Sequence, residues 1–237
     1  MGLTMSDYET LFDQALTLME SSDLLEAVGL WDQLLQDLSD LDLEERALLS
    51  LNKGVCLVEL GHPGEAVALC ASVLDEDDLD LGCDLGLQLV HLVMEQSRLT
   101  GDLGKARAYG EMVLTAMEQE SANCSPEALL AIARQRAELA RDMGQPDDAE
   151  ETLATVLELL SAPLEESSGD PDFFAEIRLV KAQILETRAH NRFEGHADEI
   201  AALDLEDAVN IYLEVMGPDH EETRRVQELL LEVSGNY

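Results

Sequence analysis

Three kinds of side chain in this 237-residue chain could do chemistry: histidines near acids, cysteines, and basic residues at helical spacing. His190 and His196 flank Glu194, and Asp198 follows. Imidazole and carboxylate together can hold zinc, but His190 and His196 lie too far apart in sequence for a usual ligand pair. The group reads as a polar loop. His62 and His220 sit close to prolines and read as turn residues. Cys56, Cys70, Cys83 and Cys124 form no CxxC pair and no metal-ligand spacing. Cys56 and Cys70 fall on apolar helix faces, where a thiol acts as a small hydrophobe. Neither a phosphate-binding Gly-rich loop, nor a GxSxG elbow, nor an HExxH helix occurs. Acids are so numerous, 51 in all, that no catalytic dyad stands out. The residues imply no metal and no cofactor, and a binding protein rather than an enzyme.

The basic residues are the better lead. Arg178, Lys181, Arg188 and Arg192 lie three, seven and four residues apart, offsets that keep all four on one face of a helix. Like charges on one stripe repel, so partners are expected. One reading pairs them with acids of a neighbouring helix. The other makes them a groove for a carboxylate-bearing ligand, because the guanidinium fork grips carboxylate bidentately.

The elements that carry these residues are helices. Leu11, Ala15, Leu18 and Met19 keep a 3.6 period, as do Leu30, Leu34, Leu35 and Leu38, and then Leu48, Leu51, Val55 and Val58. Similar sets recur to Leu129, Ile132 and Ala133, then Ile177, Val180 and Ile184, and a last set of Val226, Leu229, Leu230 and Val233. A charged residue followed by Ala recurs near helix starts: Glu26-Ala27, Glu65-Ala66, Lys105-Ala106, Asp148-Ala149 and Asp207-Ala208. Turns with Gly precede the middle three, at Gly61 to Gly64, Gly101 to Gly104 and Gly144 to Asp147; Ser21-Ser22-Asp23 takes that place in the first. Gly past a helix end adopts the left-handed conformation that satisfies the last carbonyls. The small Ala then lets two helices cross closely. Acidic or polar connectors are expected at Asp75–Asp78, Ser121–Pro126 and Ser161–Pro171. The stretch from Gly195 to Asp204 reads as a loop or extra turn.

Two helices per unit of about 40 residues resemble tetratricopeptide (TPR) repeats. Gly54, Leu57, Gly61, Glu65, Ala66 and Leu74 match that pattern in spacing and type. Gly101, Ala106, Tyr109 and Leu114 match it again, and so do Ala137, Gly144, Ala149, Leu153 and Leu157. Trp31 and Tyr212 stand where the family packs a large residue in the second helix. The longer units and the run from Tyr212 to His220 look like the kinesin light chain type of repeat. Lys53 and Arg136 replace usual apolar residues, and Gly110 a bulky one. The expected fold is all-α: a superhelical stack of about five antiparallel helix pairs, a TPR-like α-solenoid with a C-terminal capping helix. The pairs are 6–40, 43–80, 82–120, 126–162 and 172–217, with the cap at 219–234, in a single domain of 1–237.

The resemblance implies that first helices line a concave groove that binds another protein or peptide, as in an adaptor, co-chaperone or regulatory scaffold. From the second pair onward the first helices carry ten bases and a similar number of acids, so they are near neutral, while second helices and connectors hold most of the surplus acid. The expected groove residues are His91, Arg98, Arg134, Arg141, Arg178, Lys181, Arg188 and Arg192, for a partner of acidic or C-terminal carboxylate character. The alternative is an acidic inhibitor that mimics nucleic acid and blocks a basic cleft. A net charge of −37 opposes binding to nucleic acid or an anionic membrane. That charge can serve solubility or meet a basic client. With no apolar run long enough to span a bilayer and no secretory pattern, the expected compartment is the cytoplasm. The Met1-Gly2 start with Ser6 formally fits a myristoylation signal, but acids rather than bases follow it.

Overall fold

The computed structural model describes residues 5–37, 41–76, 79–81, 83–120, 126–165 and 171–235. These residues form eleven α-helices and no strand. They are α1 (Met5–Glu20), α2 (Leu24–Asp37), α3 (Leu43–Glu59), α4 (Pro63–Leu74), α5 (Asp84–Leu99), α6 (Leu103–Glu120), α7 (Pro126–Asp142), α8 (Pro146–Glu165), α9 (Pro171–Glu194), α10 (Asp198–Val215) and α11 (Glu221–Ser234). The chain divides into two compact units, Met1–Asn123 with α1 to α6 and Cys124–Tyr237 with α7 to α11.

One local device repeats at the end of every first helix. Ser22, Gly61, Gly101, Gly144 and His196 all have positive φ, from 61° to 85°. At Gly61 the N–H donates to the Val58 carbonyl at 3.0 Å, and the His62 N–H reaches the Leu57 carbonyl at 2.8 Å. Matching bonds close the other four ends. This double closure satisfies carbonyls that the helix leaves open, and it reverses the chain within three residues. Five residues after each left-handed position stands an alanine: Ala27, Ala66, Ala106, Ala149 and Ala201, all fully buried. A side chain no larger than a methyl group at that point lets the paired helices approach closely.

The last pair differs from the others here. Of the two readings of Gly195 to Asp204, a loop or an extra turn, the loop does not hold: the turn is complete at Ala197 and α10 begins at Asp198, so the remainder of the stretch is additional helix. The alanine in register is therefore Ala201, not Ala208, although Ala208 is buried two turns further on. The counterpart of Trp31 is then Leu205, and Tyr212 stands seven residues beyond that register position. The charged-residue–Ala signal failed because Ile200 precedes Ala201. Helix α8 also runs through Ser161–Pro163, which the sequence reads as connector. Asp77, Asp78, Ser121–Ser125 and Leu38 lie outside the described residues.

In the first unit each helix packs on the next, and α3 also meets α5. Trp31 is fully buried with Ala15, Ala27, Leu34, Leu49 and Cys56 around it. Phe12 meets its ring edge-on at 5.3 Å. In the second unit the order is α7 on α8, α8 on α9, α9 on α10 and α10 on α11, and α7 also meets α9. Contact between successive first helices, α3 with α5 and α7 with α9, is what stacking of hairpins demands. The odd residues of the pattern have partners. Lys53 forms an ion pair with Asp32, and the Arg136 Nε donates to Thr152 Oγ1 at 3.1 Å.

Candidate protein-binding surface

Helix α9 holds the basic stripe, and its arginines are already occupied. Asp204 on α10 is buried, and Arg188 grips it with both arms of the fork, Nε at 3.0 Å from Oδ2 and Nη2 at 2.6 Å from Oδ1. Arg192 donates to the same carboxylate through Nη1 at 2.6 Å. Its Nε and Nη2 turn the other way and hold Glu150 on α8, the shortest contact being 2.9 Å. Four side chains thus tie α8, α9 and α10 together. The carboxylate that these arginines were expected to receive from a ligand is supplied by the chain itself, from Asp204 and Glu150. Of the two readings open for the stripe, pairing with neighbouring helices holds for Arg188 and Arg192.

The other expected residues are scattered. Arg178 is half exposed and reaches Glu214 at 3.3 Å. Arg141 reaches Glu194 at 3.4 Å. Arg134 is exposed, while Lys181 and Arg98 are half-buried. The α7–α9 face is not uniformly cationic either. A hydrogen bond to Glu127 of α7 raises the carboxyl pKa of Glu176 on α9, and the charge of Glu127 adds to the effect. His190 pairs with Glu194 at 3.3 Å, and His196 is the left-handed turn residue. Among the described residues no group of His, Cys, Asp and Glu could hold a metal ion.

A second network fastens α11. The Tyr212 hydroxyl donates to Glu186 Oε1 at 2.6 Å, and Arg225 of α11 holds Oε2 of the same carboxylate at 2.6 Å. Burial, then the bond to Glu186, raises the Tyr212 phenol well above its ordinary pKa. Thr223 on α11 is fully buried and donates to the Gly217 carbonyl at 2.9 Å.

The first unit offers a different surface. Between α3 and α5 lies an open pocket of about 410 Å³. Its floor is apolar: Leu51, Val55 and Val58 from α3, and Leu92 from α5. Its rim is polar, with Glu59 from α3 and Gln88, His91, Glu95 and Gln96 from α5. Of the expected residues, His91 lies here and is exposed; the pocket itself was not foreseen. A signal for it was present. On a 3.6 period Leu51, Val55 and Val58 share one face of α3, while Leu49 and Cys56, which face the Trp31 core, share nearly the opposite one. A helix apolar on two faces either lies fully inside or lends one face to something else. Gly54 sits between the two faces, where a Cβ would come within 2.8 Å of Cys70 Sγ and 3.3 Å of a Leu92 methyl. Its bare backbone lets α3 settle against both α4 and α5.

No family model matches the sequence, and no curated protein matches it closely. Solved structures do match. One is a crystal structure of Podosopora anserina kinesin light chain nearly identical TPR-like repeats, with a TM-score of 0.61 and 19% identity, covering 87% of this chain and 95% of that one. A single-substitution variant of the same repeats gives a TM-score of 0.62 at 18% identity, covering 88% and 95%. With its helix hairpins, left-handed turns and buried alanines in register, the chain has the all-α, TPR-like repeat fold of which the kinesin light chain repeats are an example.

Proposed function

We propose that the protein is a non-catalytic scaffold that binds another protein through the outward faces of its first helices, with the α3–α5 pocket as an anchoring point. The observation that carries this is the apolar floor of that pocket: Val55 and Val58 are only half-buried, on a helix whose opposite face already fills the core. Pockets of about 300–1,000 Å³ with apolar walls and a few polar groups are where proteins take ligands. This one is open, which suits a side chain of an incoming chain more than an enclosed small molecule. A carboxylate-bearing ligand on the second unit would have to compete with Asp204 and Glu150 for the two best-placed guanidiniums, so the geometry favours the first unit.

The test is partner capture from native cells with the intact protein and with Val58→Glu, after circular dichroism shows equal helix content and melting. Proteins retained by the intact chain and lost from the variant support the reading. An identical captured set with the pocket blocked would refute it.

A further inference from the structure

We infer that the α3–α5 pocket takes a cationic protein segment, seating one apolar side chain on Val55, Val58 and Leu92 with lysines or arginines on either side of it. The inference rests on the scaffold reading and adds the chemistry of the partner. It runs against the acidic partner expected from the arginines of the chain as a whole.

The argument begins with the rim. Glu59 and Glu95 belong to different helices, so an extended segment lying across the pocket meets one carboxylate from each wall. His91 is the one basic side chain among the residues that line the pocket. The surroundings push the same way. The first unit carries 25 acids and 5 lysines or arginines. Of those five, Arg46 pairs with Glu76 at 3.2 Å, Lys53 with Asp32, and Arg107 with Glu111 at 2.7 Å. The unit thus projects a negative field with little positive charge to interrupt it. Such a field speeds the approach of a cationic segment and repels an acidic one.

The apolar floor is needed as well as the charge. Exposed ion pairs contribute little each and are screened by salt, so charge alone would hold any basic polymer weakly. An anchor side chain that leaves water for the pocket supplies affinity that salt does not remove. The division of labour is that the floor binds and the rim selects.

The experiment uses the full chain and three synthetic peptides: a leucine flanked by lysines, the same leucine flanked by glutamates, and the lysine peptide with serine in place of leucine. Binding is followed by fluorescence anisotropy, and its place by methyl NMR shifts of Val55, Val58 and Leu92. The lysine–leucine peptide is expected to bind about tenfold tighter than either other peptide at low salt and to shift those methyls. Glu59→Lys with Glu95→Lys should abolish or invert the preference, and the milder Glu59→Gln should reduce it. If the glutamate peptide binds better at the same methyls, the inference falls and the scaffold reading stands. A serine peptide that binds as well as the leucine one shows charge attraction alone and also overturns it. Methyls unmoved by every peptide would sink the inference and the anchoring role of the pocket together.

Discussion

Replacing Asp204 with Ala removes the carboxylate that Arg188 and Arg192 share. The side chain is 5% exposed and accepts three charge-assisted hydrogen bonds, at 3.0, 2.6 and 2.6 Å. Deleting one member of a buried ion pair costs about 3–5 kcal/mol, because the remaining charge stays out of water without a partner. Here the loss is smaller. The two arginine side chains are 18% and 21% exposed, so they are not sealed from water, and Glu150 still holds Arg192. About 2–3 kcal/mol is therefore expected, with a fall of roughly 10 °C in the melting of the affected unit. The order of effects is more diagnostic than any one value. Glu150, at 34% exposed, has water as an alternative partner, so Glu150→Gln should cost less than about 1 kcal/mol. Arg188→Met should fall between the two, since Asp204 keeps Arg192. Urea unfolding of the four proteins, followed by far-ultraviolet circular dichroism, measures the series. The reasoning fails if Asp204→Ala lies within about 0.5 kcal/mol of the parent, or if Glu150→Gln costs as much. Reversing the charges of Arg188 and Arg192 together should unfold the second unit instead of merely weakening a partner.

Three further outcomes are expected. Gly54→Ala gains up to about 1 kcal/mol of helix propensity but loses about 1–3 kcal/mol by overpacking against Cys70 Sγ; it should destabilise overall, and adding Cys70→Ala should recover most of the loss in a double-mutant cycle. His196→Gly removes a non-glycine residue from φ 61° and should stabilise by about 0.5–1 kcal/mol in denaturant unfolding, after the larger chain entropy of unfolded glycine is subtracted. Burial, and then the 2.8 Å bond to Asp75, pushes the Tyr109 phenol up to about 12. The unfolded phenol ionises near its ordinary value of 10, so the unfolded state releases its proton first and stability should fall as pH rises from about 10 towards 12. In unfolding titrations Tyr109→Phe should flatten that fall, and an unchanged slope would remove Tyr109 from the account.

The hairpins were legible because two short-range demands meet at each one. A chain that reverses in three residues needs a left-handed position, and glycine at 61, 101 and 144 announces it. Close crossing needs a small residue, and Ala27, Ala66, Ala106 and Ala149 announce that. At the last pair both announcements are muffled. His196 takes the left-handed position without being glycine, and Ile200 replaces the charged residue before Ala201. The local hydrogen bonds nevertheless form, His196 N–H to the Phe193 carbonyl at 3.0 Å and Ala197 N–H to the Arg192 carbonyl at 2.8 Å. Backbone geometry imposed the turn where residue type did not advertise it.

The surface was harder to read, for a reason that differs between the units. Spacing on α9 correctly put Arg188 and Arg192 on one face, but spacing within a helix says nothing of what lies opposite. Asp204 is brought there only because α10 starts at Asp198 and packs along α9, a register that the misread turn concealed. In the first unit the difficulty was the reverse. Leu51, Val55 and Val58 were visible as an apolar stripe, and an apolar stripe is core by default. Only the packing shows that Leu49 and Cys56 serve the Trp31 core from the other side of α3, which leaves the second stripe with α5 on part of its width and solvent on the rest. Charge attracts attention in a sequence and apolar residues do not. In this chain the conspicuous arginines Arg188 and Arg192 hold helices to one another, and the unremarkable valines of α3, Val55 and Val58, are left only half-buried.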